Sequence, residues 1–365
     1  MKFMDLVLEV SERRVGREYQ HLEDFVYTQG GSPGARQALE ILRRLNQGTN
    51  SVTVKFDGHP NIYWGRRNGQ FTLTPKSGWG KQWFTSAEEV SDWFANKNRG
   101  EDWRKRYARV LYDAWRILEK NTPEDFEGFV YGDLLYYPSK PQKTSDATVT
   151  FGPGKVTYSV PINTTVGRLI ADSKLGVAAH MRYAKYGDTS GKIITGTQEL
   201  NTPEVVVFGQ IPVVIKPGLS EQGLDRIEEM IDEYATDMNG FLTVRPGFSD
   251  VAAIIYRYVN HMSKTQQLEN LHDGFLPWVE QSNVSANKKK KLNDLIKIYP
   301  NALPGIFGIF TAIMHMKNML IKKLDLANKT ISSSVNGQPG GEGYIDQKSR
   351  AKLIPRHRWQ PVWDD

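Results

Sequence analysis

The sequence predicts an α+β protein in which antiparallel sheets are interrupted by an all-helical module. Three observations carry that expectation. Period-two runs such as SVTVKF (51–56), NIYWGRR (61–67) and QFTLTPK (70–76) crowd the first half of the chain, and strict alternation marks strands with one buried face. From about 220 to 328 the apolar period changes to that of a helix and stays there. At 365 residues the chain exceeds the usual size of one domain, so a second body or a large insert is expected. The expected division is 1–219 with 329–365 as the sheet domain and 220–328 as the helical insert.

Taken in order, residues 1–47 carry helical spacing in FMDLVLEV and ARQALEILRRL, separated by the turn GGSPG (30–34). In SVTVKFDGHPN (51–61), Val52, Val54 and Phe56 fall on one face of a strand, and Thr53, Lys55 and Asp57 on the other. A lysine and a carboxylate then look out together above an apolar face. Asn68-Gly69 between two strand-like runs predicts a two-residue hairpin. Residues 86–120 read as helix, with Val110, Leu111, Ala114 and Leu118 on one stripe and the arginines of 104–109 largely opposite. FVYGDLLYY, KVTYSVPI and EVVVFGQIPVVI read as further strands. In the module, GLDRIEEMIDEY lines up Leu224, Ile227, Met230, Ile231 and Tyr234, and GIFGIFTAIMHM (305–316) reads as a buried helix. NKTISSSVNGQPGGEG (328–343) reads as a flexible stretch leading to a last strand pair, GYI and AKLI.

Composition narrows the function classes. The 16 Tyr, 15 Phe and 9 Trp supply the area for a large core. With Cys 0, disulfides and thiolate metal sites are excluded, which fits a reducing compartment and a cytoplasmic location. The opening MKFMDLVLEVSERR is too short and acidic in its apolar part for a secretory signal, and no run approaches the roughly 20 apolar residues of a membrane helix. A net charge of +6 and pI near 9.1 favour an anionic partner, nucleic acid or nucleotide.

Lys55 heads Lys-Phe-Asp-Gly, which resembles the K-x-D-G signature of the covalent nucleotidyltransferases, the superfamily of ATP-dependent polynucleotide ligases and RNA capping enzymes. Other parts recur in the family's order: Gly-Asp in GFVYGDLLYY, Glu-Gly in GEGYI, and a lysine strand in RAKLI. The resemblance implies an antiparallel-sheet, ATP-grasp-like ligase domain. It also implies that Lys55 attacks the α-phosphate of ATP, forming a lysyl-AMP phosphoramidate and releasing pyrophosphate. An amine with a pKa near 10.4 must first lose its proton; Lys352 is the implied cation that lowers it and holds the α-phosphate. Asp57, Gly58, Lys76 and Tyr158 are the further implied nucleotide contacts, Tyr158 as the ring that stacks on the base. Asp133 and Glu342 are the implied ligands of Mg²⁺, or of Mn²⁺ in its place. If GYI and AKLI pair in an even register, Tyr344 stands opposite Lys352, and Glu342 shares its face.

The sequence departs from the family pattern in three ways. Asp133 stands where glutamate is usual. No arginine follows K-x-D-G, leaving Asn61 or Arg66 to take its place, and the gap from Asp133 to Glu342 is lengthened by the helical module. Thirteen residues follow Lys352, too few for the oligonucleotide-binding barrel of DNA ligases, so the resemblance points to the RNA ligase branch and to ligase-like proteins of large tailed phages. A phage-encoded chain is expected in the host cytoplasm. RNA is the expected nucleic-acid partner ahead of DNA, held by Lys288 to Lys291, Lys317, Lys322 and Lys323 on the insert. Alternatives are DNA nick sealing by the same chemistry, or a nucleic-acid-binding protein that keeps the fold without catalysis. Trp79 and Trp83 beside Lys81 are either base-stacking residues or core. His21, Glu23 and Asp24 are either nucleotide contacts or helix surface. His180, His315 and His357 show no metal-ligand spacing.

Overall fold

The computed structural model describes residues 19–96, 102–152, 154, 156–194, 198–242, 249–328, 330–335, 338–339 and 343–356. Strand β1 (Gln20–His21) leads through one 3-10 turn into helices α1 (Phe25–Thr28) and α2 (Ser32–Gln47). Strands β2 (Val52–Val54), β3 (Asn61–Arg67) and β4 (Gln70–Pro75) follow, then helices α3 (Ala87–Asn96) and α4 (Asp102–Asn121). Next come β5 (Gly128–Tyr136), β6 (Lys143–Thr144), β7 (Thr148–Phe151), β8 (Val156–Pro161), α5 (Thr165–Asp172), β9 (Leu175–Tyr183), β10 (Lys192–Ile193) and β11 (Val205–Phe208). The helical stretch holds α6 (Glu221–Phe241), α7 (Ser249–Lys264), α8 (Leu271–Gln281), α9 (Ala286–Ile298) and α10 (Ala302–Ala327). Strands β12 (Ser332–Val335), β13 (Gln338–Pro339), β14 (Tyr344–Asp346) and β15 (Ala351–Leu353) complete the described chain. The fold is a mixture of helix and mostly antiparallel sheet, as the periodicities predict.

The chain forms two compact units, divided differently from the sequence expectation. One comprises Met1–Thr53, Pro212–Ala327 and Gly343–Pro361; the other comprises Val54–Ile211, Asn328–Glu342 and Val362–Asp365. The helical module is therefore not a separate insert. It shares a body with the N-terminal helices and the last strand pair. Three contacts explain this. Arg43 on α2 reaches Asp225 and Glu228 on α6 at 2.8 and 2.7 Å. The amide of Ser32 donates to Asn239 on α6 at 2.8 Å. In the sheet ordered β1-β15-β14-β2, β1 runs parallel to β15.

The apolar run of α10 is buried as expected, with Ile306, Ile309, Phe310, Ile313 and Leu320 at 0 % exposure. Lys317, expected among the phosphate contacts, is also fully buried there. Its ammonium lies 2.7 and 2.8 Å from the two carboxylate oxygens of Glu23, and Arg356 donates to the same Glu23 at 2.8 Å and to Asp24. Glu23 and Asp24 are interior ion-pair partners, neither helix surface nor nucleotide contacts. The expected helix at FMDLVLEV lies outside the described residues.

In the second unit a six-stranded sheet is ordered β10-β9-β5-β3-β4, with β11 parallel to β9. Asn68 (φ 52°) and Gly69 (φ 76°) make the predicted hairpin turn between β3 and β4, both in the left-handed region such a turn requires. Helices α3 and α4 cover one face through Val90, Leu111, Ala114, Trp115 and Leu118, packed on Trp64, Leu73, Val130 and Val177. On the other face Trp79 stacks on Tyr63 (4.1 Å) and Trp83 meets Phe129 edge-on (5.9 Å), so these tryptophans form a small apolar cluster. Arg66 is buried, its guanidinium donating to the carbonyls of Glu119 (2.7 Å), Thr122 and Gly69. It closes the end of α4 and is unavailable as a substitute for the missing arginine. The stretch expected to be flexible supplies β12, which pairs antiparallel with β8 in a five-stranded sheet, Ser333 opposite Tyr158. Among the described residues no single helix is long and apolar enough to cross a membrane.

Candidate functional site

The site grows from the segment after β2. Residues 55–60 leave the strand and run along the end of β5, where the amide of His59 donates to Leu134 O (2.8 Å) and the amide of Leu134 donates to Pro60 O (3.1 Å). Strand β3 then starts with Asn61 directly opposite Asp133. Gly58 is required at the crossing. A Cβ there would stand 2.4 Å from Leu134 O and 2.8 Å from Asp133 Cβ, closer than atoms pack. The alternation read from the sequence holds in outline: Val52, Val54 and Phe56 are buried, while Lys55 and Asp57 are half-buried. Thr53 departs from it and is buried, receiving a hydrogen bond from the Gln347 amide at 2.8 Å.

Lys55 and Asp57 form an ion pair at 2.5 Å, the lysine side chain 15 % exposed and the aspartate 42 %. The amide of Asp57 donates to the Tyr158 hydroxyl at 2.7 Å. Tyr158 has 0 % exposure and packs on Phe56 (5.2 Å) and Phe151 (5.5 Å). Its expected place as the base-stacking ring is therefore corrected: the ring is core, and its hydroxyl anchors the K-x-D-G backbone. Asp133 lies on β5 with its carboxylate 9 % exposed. One oxygen accepts from the Asn61 amide and the other from His180 Nε2 at 3.1 Å. Burial pushes the Asp133 carboxyl upward, but His180, Asn61 and the charge of Lys55 outweigh it and hold the group below the usual carboxylate range. Asn61, rather than Arg66, is thus the residue at the site.

His180 was not visible as a site residue in the sequence. It sits at a bulge in β9: Tyr131 pairs with Met181 and Gly132 with Ala179, leaving His180 without an opposite residue. Period-two reasoning has no means of placing an extra residue. The sole signal is a histidine at the end of the apolar run LGVAA. Tyr131, on the same face as Asp133, has its ring 5.6 Å from His180, with the Lys76 ammonium 6.0 Å from the Tyr131 centroid. Lys76 therefore lies at the margin of the site.

Lys55, Asp57, Gly58, Asp133 and Tyr158 come together within the second unit, whereas Lys352 belongs to the first. The last hairpin is one residue out of the expected register: Tyr344 pairs with Leu353, and Ile345 with Lys352. The reason is a four-residue turn organised by buried Asp346, which accepts from the Ser349 amide (3.1 Å), with Arg350 at φ 58°. Tyr344 and Leu353 point inward, and Lys352 takes the half-buried face with Ile345. Glu342 lies outside the described residues. Among the described residues no three His, Asp or Glu side chains converge as a metal site. A cleft of about 630 Å³ bordered by Glu119, Lys120, Asn121 and Thr202 includes Arg66 in its lining but none of Lys55, Asp57, Lys76, Asp133 and Tyr158.

The fold and site define a mixed α+β protein with a lysine, two carboxylates and a histidine gathered at one strand end. The chain belongs to a family of unknown function, DUF6267, whose model matches residues 18–360. No curated protein and no solved structure matches it.

Proposed function

We propose that the protein is an ATP-dependent polynucleotide ligase, acting on RNA ahead of DNA, with a nucleotidyltransferase fold in its second unit and Lys55 as the nucleophile. The observation that carries the reading is the K-x-D-G segment itself. Gly58 and the Tyr158 hydroxyl fix its backbone against the Gly-Asp strand, so that Lys55 meets Asp57 directly and Asp133 through its field. In the first step the Lys55 amine bonds to the α-phosphorus of ATP, the bond to the β-phosphate oxygen breaks, and pyrophosphate leaves. The amine proton passes to Asp57, the carboxylate in contact with it. AMP then moves to a 5′-phosphate, and attack by a 3′-hydroxyl joins the ends and releases AMP.

Asp133 fits a divalent cation in one respect, being an ionised carboxylate on the site's face. Mg²⁺ commonly takes one or two carboxylates and completes its shell with water and substrate phosphates. It would supply charge neutralisation on the triphosphate.

Incubation with α-labelled ATP and Mg²⁺ tests the reading. The expected result is a protein adduct stable to alkali and labile to acid, lost in Lys55→Ala. An adduct retained in that variant removes Lys55 from the mechanism. A wild-type protein that binds RNA and never forms the adduct is the non-catalytic alternative.

A further inference from the structure

Resting on that reading, we propose that His180 is a positioning residue for Asp133, and that the Asp133–His180 pair fills the place of the longer acid usual at this position. Three features converge. The Asp133 carboxylate is buried, with His180 Nε2 3.1 Å from Oδ2 while Asn61 holds Oδ1. Both oxygens are thus held by side chains from the two strands that flank β5. The bulge is what makes this possible. In an unbroken register His180 would stand opposite Tyr131, but Met181 has that place, and His180 is left to lean toward Asp133. Directly opposite Asp133 on β9 stands Ala178, whose methyl group is too small to fill the space that the imidazole of His180 takes beside the carboxylate.

The aspartate is therefore matched to its histidine rather than a shortened remnant of a glutamate. A glutamate at 133 carries its carboxylate a methylene further, into the space of the imidazole. Removing the imidazole makes that space available again. The two positions should be strongly coupled, as residues sharing one hydrogen-bond network are.

The experiment measures single-turnover adduct formation with α-labelled ATP in the full chain, with urea unfolding of each variant to establish that it is folded. His180→Ala is expected to slow the chemical step by roughly 10- to 100-fold, the usual effect of removing a residue that orients a site ligand, with little change in the ATP concentration for half-maximal rate. His180→Gln, whose amide nitrogen reaches the level of Nε2, should recover most of the rate; His180→Asn, which reaches only the level of Nδ1, should not. Asp133→Glu should be slow, and Asp133→Glu/His180→Ala faster than Asp133→Glu. Wild-type rate in His180→Ala, equal rescue by Gln and Asn, or losses that simply multiply in the double variant would each overturn the inference while Lys55 keeps its adduct. Absence of any wild-type adduct would overturn the site reading itself, and this inference with it.

Discussion

Two lysine–carboxylate pairs, one in each unit, use the same groups for opposite ends. Lys317 and Glu23 are both 0 % exposed, and the ammonium is held by two carboxylate oxygens at 2.7 and 2.8 Å. Arg356, Asp24 and Tyr27 close the network, with the Tyr27 hydroxyl donating to Asp24 at 2.5 Å. Burial pushes Glu23 upward, but Lys317 and Arg356 hold it below the usual carboxylate range. Lys55 and Asp57 keep contact with solvent, 15 % and 42 % exposed, on a segment fixed through its backbone rather than its charges. Where every charge has a fixed partner and no water, the pair specifies packing, and a lone survivor is very unfavourable. Where one flank stays open, the amine can exchange its proton and meet a substrate. Burial, not residue type, separates the two settings.

The largest expected effect breaks the comparison from the reactive side. Lys55→Ala should abolish the ATP adduct yet change unfolding free energy by no more than about 1 kcal/mol, the range for partly exposed ion pairs. A large stability loss would make Lys55 a second Lys317. The converse variant, Lys317→Ala, should destabilise by roughly 3–5 kcal/mol in urea, because Glu23 stays buried with one cation fewer. A loss under about 1 kcal/mol would show that water reaches Glu23 and that the contrast in burial is not the operative one.

The sequence carried the Lys55–Asp57 pair more clearly than the buried one, for physical reasons. Lys55 and Asp57 follow from alternation along a few residues, and the hairpin at Asn68-Gly69 from the φ preferences of two. Lys317 continues an apolar helical run, where a lysine is usually a solvated end; its partner Glu23 lies 294 positions away, and Arg356, which binds the same carboxylate, lies 333 positions from Glu23. No local pattern records such a pairing. The same limit explains the division into units, which depends on α2 meeting α6. It also explains Lys352, where one residue in the turn at Arg350 moves the register and with it the expected face. His180 needed a bulge, which is an exception to the periodicity that finds strands.

A third effect sharpens the comparison through pH. The His59 ring packs edge-on against Tyr107 at 4.2 Å, and burial pushes its pKa down from 6.5 to about 4, with Asp133 opposing. The folded ring stays neutral where the unfolded one takes up a proton. Its contribution is therefore complete above about pH 6.5 and declines as pH falls toward about 4, a total of roughly 3 kcal/mol. Glu23 acts with the same sign in a lower window: held below its ordinary value, it keeps its contribution above the carboxylate range and loses it as pH falls through the lowered pKa. Urea midpoints from pH 7 to 5 should decline in the wild type and much less in His59→Phe. An unchanged slope in that variant assigns the acid sensitivity elsewhere.

The smallest effect asks whether the reactive segment is held by its backbone at all. Tyr158→Phe removes the hydroxyl that accepts the Asp57 amide at 2.7 Å and keeps the ring against Phe56 and Phe151. Losing one such bond should lower stability by about 1 kcal/mol. Adduct formation should slow, because Lys55 precedes Asp57 by two residues and moves with it, while the ATP concentration for half-maximal rate stays nearly constant. A stacking role predicts the reverse. Phenylalanine would then preserve both rate and ATP affinity, and only Tyr158→Leu would weaken ATP binding. Equal rates in wild type and Tyr158→Phe would leave the Lys55–Asp57 pair as the element that holds the segment, and the two lysine pairs would then be more alike than their exposure implies.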